Sequence, residues 1–360
     1  MKRYGNIYER MISPESLFAA WNAFKVGKTE REDVANFEWK LEENIFALHR
    51  DLKSKAYRHA AYFAFFIADP KQRHIHKATV RDRVVHHAVF QVLNPIFEPT
   101  FIADSYSCRV GKGSHKGVDA LSYMVRKMSR TYTRPCFVLK CDVRRFFDSI
   151  DHSVLLEILL ERIADTDVMH LLETIVESFP AGQLSIFERR KGVPIGNLTS
   201  QLFVNIYMNV FDQFMKHECK IEHYARYTDD FVVVSGDRDA LVGLLPKIKS
   251  FLGKRLHLEL HPKKVFICQP HQGIDFLGYV LRRNSSVLRT KTKNRMIKKL
   301  AMRVSDYNAE LISANTLRQT LNSYLGVLSH ANGYGLAEKI TNNTILGLES
   351  ERFAELFKKI

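Results

Sequence analysis

The chain has 360 residues, 46% hydrophobic and 11% aromatic, enough for two or three subdomains around a sizeable core. Its 54 Lys and Arg against 39 Asp and Glu leave a net charge of +15, a footprint of polyanion binding. A membrane surface is the rival partner, but no basic amphipathic helix or lipidation signal supports it. No apolar run reaches the ~18 residues of a membrane helix, and the N-terminus MKRYGNIYERMISPES lacks the apolar core of a secretory signal. Five cysteines (Cys108, Cys136, Cys141, Cys219, Cys268) without a CxxC pair indicate neither a disulfide framework nor a zinc site. A reducing, cytoplasmic setting is the simplest expectation.

Residues 1–60 read as a helical extension. Phe37, Leu41, Ile45, Leu48 and Leu52 recur at three to four residues and predict an amphipathic helix over Val34–Leu52. An aromatic strand then runs to Ile67, Asp69-Pro70 turns the chain, and a second strand carries Arg73. A helix beginning near Thr79–Asp82 holds Val84, Val85, Ala88, Val89 and Val92 on its apolar side. Lys71, Arg73, Lys77, Arg81 and Arg83 crowd this hairpin and helix start, forming either a solvated basic face or a triphosphate clamp. In SYSCRVGKGSHKGVDAL, Gly111, Gly113 and Gly117 with Arg109, Lys112 and Lys116 could bring backbone N–H groups to phosphates, although the P-loop order is missing.

Phe137–Cys141 reads as a buried strand with Asp142 at its C-terminal end, where a side chain projects from a rigid support. Asp148 and Asp151 fall in the following turn, and Ser149 or Asp151 is placed to cap a helix starting near Val154. Phe147 is either core or a flat wall near Asp142. A helical stretch over Val154–Phe179 leads to a loop kinked by Gly192, Pro194 and Gly196, then a helix from Leu198–Ser200. Such a loop before a helix N-terminus suits a nucleotide, and Ser200 and Gln201 are otherwise ordinary first-turn residues.

The chain is organised around ARYTDDFVVVS, Ala225 to Ser235. Asp229 and Asp230 sit at the turn of a predicted hairpin, between Tyr227 and the β-branched run Val232–Val234. Adjacent like charges are costly without a cation, and carboxylate oxygens suit hard ions such as Mg²⁺. Asp239–Leu256 then predicts a helix, RLHLELHPKKVFIC an alternating strand with Lys263 and Lys264 at a turn, and GIDFLGYVL a further hairpin. From Thr290 onward the chain is basic and helical, fitting a bundle against a nucleic-acid backbone or a solvated surface.

Taken in order, these motifs resemble the reverse transcriptase domain of group II introns, retrons and diversity-generating retroelements, over about residues 60–285. The resemblance implies an α+β right-hand polymerase: an N-terminal helical extension (1–60), fingers and palm (61–285) and a helical thumb (286–360). It implies an RNA-directed DNA polymerase in which Asp142, Asp229 and Asp230 hold two Mg²⁺ ions, with Mn²⁺ a possible substitute. By the same resemblance Lys71 and Arg73 contact the incoming nucleotide and Phe147 excludes a ribose 2′-hydroxyl. Ile195, Gly196, Gln201 and Tyr227 line the nucleotide site. Lys264, with Lys263 adjacent, protonates pyrophosphate, and Phe276-Leu277-Gly278 forms the primer grip.

Most reverse transcriptases spell the glycine loop Gln-Gly-x-x-x-Ser-Pro. Here it reads Ile195-Gly196-Asn197-Leu198-Thr199-Ser200-Gln201, the form typical of diversity-generating retroelements. That subtype implies error-prone copying at template adenines of a template-repeat RNA, cDNA for targeted gene diversification, and a small basic helical accessory protein. Thr228 stands where Met or Ala is commoner. The expected length leaves no room for an endonuclease, RNase H or large maturase domain. The rival readings are a retron- or abortive-infection-type reverse transcriptase, a splicing maturase, and a non-catalytic RNA-binding scaffold.

Overall fold

The computed structural model describes residues 2–68, 72–179 and 190–348. Its first half runs α1 (Tyr8–Ile12), α2 (Pro14–Lys25), α3 (Glu32–Trp39), α4 (Leu41–Lys53), β1 (Phe63–Ile67), β2 (Arg73–Lys77), α5 (Val80–Phe97), α6 (Ser114–Met128), β3 (Phe137–Asp142), α7 (Phe146–Ser149), α8 (His152–Leu160) and α9 (Thr166–Glu177). Then follow α10 (Leu198–Gln213), β4 (Tyr224–Tyr227), β5 (Asp230–Ser235), α11 (Arg238–Arg255), β6 (Phe266–Cys268), β7 (Ile274–Phe276), β8 (Tyr279–Leu281), β9 (Ser286–Leu288), α12 (Thr290–Asn308), α13 (Ala314–Leu328) and α14 (Tyr334–Leu346). Among the described residues no helix is long and apolar enough to cross a membrane.

Contacts divide the chain into two interleaved units. The first comprises Met1–Val110, Cys141–Phe231 and Val242–Val265; the second comprises Gly111–Lys140, Val232–Leu241 and Phe266–Ile360. A four-stranded sheet has the order β4–β5–β3–β6.

In the first unit, Pro14 opens α2 and the Ser13 hydroxyl accepts from the Ser16 N–H, a standard start. The single helix expected over Val34–Leu52 is two. Lys40, at ψ 41°, leaves the helical region between α3 and α4, and the Asn44 side chain donates to the Phe37 carbonyl across the break. A one-residue kink preserves three-to-four spacing, so periodicity alone does not reveal it. Trp21 and Phe24 of α2 are buried, as are Val84, Val85, Ala88 and Val89 of α5 against which it packs. Thr79 caps α5 by accepting from the Asp82 N–H. The helix expected over Val154–Phe179 is also two, because Asp165 caps α9 while its other carboxylate oxygen accepts from the Ile7 and Tyr8 N–H groups. Asp151 is fully buried and caps α8 through the Val154 N–H, and it pairs with His257 at 3.0 Å.

The alternating strand expected over Arg255–Cys268 shrinks to β6. His257 adopts a left-handed φ of 49°, which no strand accommodates, and only an isolated bridge from Val143 to Leu260 remains upstream. In the second unit β6 pairs antiparallel with β3, Val138 facing Cys268. There β7, β8 and β9 form a three-stranded antiparallel sheet, and α12, α13 and α14 pack on one another.

Candidate active site

β4 and β5 are joined by two residues, Thr228 and Asp229, with Thr228 at φ 56°. A left-handed conformation is a genuine outlier for a β-branched residue and marks a turn held from outside. The turn leaves Asp229 and Asp230 at the start of a strand whose next residue, Phe231, is fully buried against Phe211 at 5.1 Å. The Val143 N–H donates to the Asp229 carbonyl at 3.2 Å, which sets the end of β3 beside the turn.

Asp142 is therefore brought beside Asp229. Burial first, and then the Asp142 charge, push the Asp229 carboxyl up to about 6, while its own backbone N–H, Lys264 and Arg73 pull it back. Lys264 Nζ donates to both Asp142 carboxylate oxygens, at 2.8 and 2.9 Å. Three backbone bonds deliver it there: the Arg144 N–H to the Glu259 carbonyl, the His261 N–H to the Asp142 carbonyl, and the Lys264 N–H to the His261 carbonyl. The adjacent Cys141 thiol is pushed up to about 12, by burial and then by the Asp230 charge, and is an inert neighbour.

Asp142, Asp229 and Asp230 offer hard carboxylate oxygens, and the Asp142 charge on the buried Asp229 is of the kind a divalent cation relieves. The residues fit Mg²⁺. Among the described residues no three acidic, His or Cys side chains are grouped to hold one ion, and Asp142 is paired with Lys264.

Around this centre, the loop before α10 is fastened on two sides. The Val193 N–H donates to the Phe147 carbonyl and the Gly192 N–H to the Ile150 carbonyl. On the other side the His76 N–H donates to the Ile195 carbonyl at 3.3 Å, and the Asn197 side chain donates to the His76 carbonyl. Gly196 has φ 113°, and a Cβ there would meet Ile75 at 3.2 Å, so only glycine suits. Gly196 and Gln201 line a cavity of about 320 Å³ with Phe65, Ile75 and Lys77. Phe147 is half-buried, edge-on to Phe146. Tyr227 bonds to Ser107, and both it and Asp229 feel the charge of Arg73. Arg73 has no ion pair among the described residues; Lys71 lies outside them. In the second unit, Phe276 is buried, and Leu277 and Gly278, at φ 51° and 91°, form the two-residue turn of the β7–β8 hairpin.

Several basic residues left open between a solvated face and a phosphate clamp are paired with acids of the scaffold. Lys77 and Arg83 both pair with Asp33 of α3, at 2.7 and 2.6 Å, and Arg81 pairs with Asp51 of α4. Arg109 is spent on Glu98 and on the carbonyls of Ile102 and Ser105. Charge counting along a chain does not reveal which cations meet acids from distant helices.

Conversely, sequence reading missed Arg226 and Asp212. Both are fully buried, joined by two bonds of 2.7 and 2.6 Å. The available signal was an acid inside the apolar helix LFVNIYMNVFDQF and an arginine inside a buried strand.

The strand-end acid, the two-acid hairpin and the lysine on one carboxylate all fall inside the stretch that a polymerase family model matches. The profile of the family "Reverse transcriptase (RNA-dependent DNA polymerase)" matches residues 68–281, and the chain belongs to that family. It is similar to Protein YkfC of Escherichia coli K12, 27% identical over 58% of this chain and 62% of that protein. It is also similar to the group II intron-encoded protein LtrA of Lactococcus lactis, 24% identical over 82% of this chain and 60% of that protein. The chain thus spans about 60% of the length of these relatives. Among solved structures, apo telomerase from Candida tropicalis, truncated from its C-terminal domain, aligns at TM-score 0.48 and 12% identity over 68% of this chain and 60% of that one.

Proposed function

We propose that this chain is an RNA-directed DNA polymerase that extends a primer with deoxynucleotides along an RNA template. One observation carries the reading: the Val143 N–H bond to the Asp229 carbonyl sets Asp142, at the end of β3, beside the Asp229-Asp230 turn, with Lys264 bonded to Asp142.

Asp142, Asp229 and Asp230 would hold divalent cations, Mg²⁺ or Mn²⁺. When bound, these supply Lewis-acid activation of a primer hydroxyl and neutralisation of a triphosphate. Lys264 Nζ, bonded to both Asp142 oxygens, would be the proton donor for departing pyrophosphate if a cation took up the Asp142 charge. Arg73, without an acid partner among the described residues, offers a guanidinium to the triphosphate, and Lys71 is proposed beside it. Phe147 stands as the wall against a ribose 2′-hydroxyl. Gly196 leaves room for the nascent pair, bounded by Ile195, Gln201 and Tyr227, and Phe276–Gly278 is proposed as the primer grip. The segments 1–60, 61–285 and 286–360 serve as extension, fingers and palm, and thumb.

The finer reading is that of a diversity-generating retroelement enzyme, supported by the spelling Ile195-Gly196-x-x-x-Ser200-Gln201. An apolar side chain at 195 makes no hydrogen bond to restrain the pair, so discrimination at template adenines falls. A small basic helical accessory protein is the expected partner, with the +15 charge of this chain setting a limit on charge attraction between them. The similarity to the group II intron-encoded protein LtrA over 82% of the chain favours a second reading, a group II intron-like reverse transcriptase without the adenine-directed errors of the first.

The test sequences the cDNA made by purified protein on an RNA template with Mg²⁺ and four dNTPs, beside Asp229→Ala, with and without the candidate accessory protein. Errors concentrated at template adenines, and reduced by Ile195→Gln, support the finer reading. Accurate cDNA supports the second. No cDNA under any condition leaves the RNA-binding scaffold.

A further inference from the structure

The least expected feature of the active-site hairpin is its conformation at Thr228, a β-branched residue at φ 56° next to the two acids. Two groups hold it. The Thr228 hydroxyl donates to Ser107 Oγ at 2.6 Å, and its carbonyl accepts from Arg226 Nη1 at 3.0 Å. Arg226 is itself immobilised. Its Nε and Nη2 donate to the two carboxylate oxygens of Asp212, and Nη2 also donates to Ser105 Oγ at 3.1 Å. Tyr224 donates to the same Asp212 at 2.7 Å. The backbone is fastened too, by the Arg226 N–H to the Asp104 carbonyl and the Tyr106 N–H to the Arg226 carbonyl.

A buried ion pair is weak grounds for stability, because desolvation offsets the attraction and a well-packed apolar pair would serve as well. What an apolar pair does not supply is a third donor direction. Arginine pairs with Asp212 through two nitrogens and still has Nη1 for the Thr228 carbonyl; lysine, with one nitrogen, does not have that geometry.

We infer that Arg226, braced by Asp212, is a positioning residue whose task is to hold the left-handed Thr228 turn and thereby the orientation of Asp229 and Asp230. The inference rests on the polymerase reading of those two acids. Arg226 touches no reacting atom and acts only through the turn.

The experiment measures kcat and KM for single-nucleotide incorporation by wild type, Arg226→Lys, and Arg226→Lys with Thr228→Gly, alongside hydrogen exchange across residues 226–231. Misplacement of catalytic groups by about 1 Å lowers rate by about a hundredfold. Arg226→Lys is therefore expected to lower kcat roughly 10- to 100-fold with KM within about threefold. Thr228→Gly should then restore about fivefold or more, because glycine adopts positive φ without an external hold. Exchange should rise in the lysine variant and fall again in the double variant. A merely stabilising arginine would not be rescued at a glycine two residues away. Unchanged kcat in Arg226→Lys, or a loss untouched by Thr228→Gly, overturns the inference.

If Arg226→Lys does not melt cooperatively, Ser107→Ala removes the other hold on Thr228. In a Tyr227→Phe background, where the Tyr227–Ser107 bond is already gone, its smaller kcat loss should vanish when Thr228→Gly is added, and a loss that persists there counts against the inference. Wild type without cDNA would sink the polymerase reading alone, and hydrogen exchange would then decide the positioning role.

Discussion

Two hairpins of similar size, β4–β5 and β1–β2, have opposite character. In β4–β5, Tyr224, Ala225, Arg226 and Phe231 are fully buried, and the turn is held by Arg226 of β4 itself, braced by Asp212 of α10, and by Ser107. In β1–β2, Phe63 and Phe66 are 69% and 63% exposed, and Phe66 stacks on His74 of the facing strand rather than on a core. The buried hairpin carries the acids; the exposed one carries Arg73. Carboxylates that must share cations need fixed spacing, whereas a cation that meets a mobile phosphate needs access.

The sharpest way to break this contrast is to remove an acid. Asp229→Ala should lower incorporation by roughly a thousandfold or more, about 4 kcal/mol of transition-state stabilisation, read in a single-turnover assay. A loss below tenfold would mean that the buried hairpin is not where the chemistry happens. Next in size is Phe231→Ala, which removes a fully buried ring beneath the acids and should cost about 3–5 kcal/mol in denaturant unfolding.

Asp229 also makes a pH-dependent contribution in metal-free protein. Its folded carboxyl is raised from 3.8 to about 6, so the stability it allows is fully present below 3.8 and lost as pH rises through about 6. Asp229→Asn should therefore stabilise the chelator-treated protein at pH 7.5 by on the order of 2–3 kcal/mol and change little at pH 3.5. Thermal melts at the two pH values check it, and added Mg²⁺ should narrow the difference at pH 7.5.

On the exposed hairpin, Arg73→Ala should raise KM for dNTP about 10- to 100-fold, the worth of a charge-assisted hydrogen bond, with kcat within about threefold. Steady-state kinetics decide this, and a loss confined to kcat would place Arg73 with the acids instead. Smallest of all, Phe66→Ser should change stability by no more than about 0.5 kcal/mol, since its ring is already in water. A larger loss would mean that the exposed hairpin is more firmly built than its burial indicates.

Much of this was legible in the chain itself. Asp142 after a buried strand, Asp229-Asp230 before a valine run, the glycine loop ahead of α10 and the Thr79 cap of α5 are local patterns, set by neighbours a few residues away. Local patterns are what periodicity and turn chemistry report. The kink at Lys40, the break before α9 and the loss of the strand through His257 were not, because each depends on one backbone angle or on a cap shared with a remote segment.

The same division runs through the active site. Sequence alone determined which acids were available, their order, and that a glycine-kinked loop precedes α10, whereas the need for glycine at 196 comes from its φ of 113° beside Ile75. Only the tertiary structure decided that Lys264 reaches Asp142, that Lys77 and Arg83 are taken by Asp33, and that Arg226 holds the turn from beneath. Those are pairings across 44 to 122 residues of chain or through a buried guanidinium. Charge in a sequence has no partner until folding brings one within a few ångströms, where the low dielectric of the interior makes the pairing count.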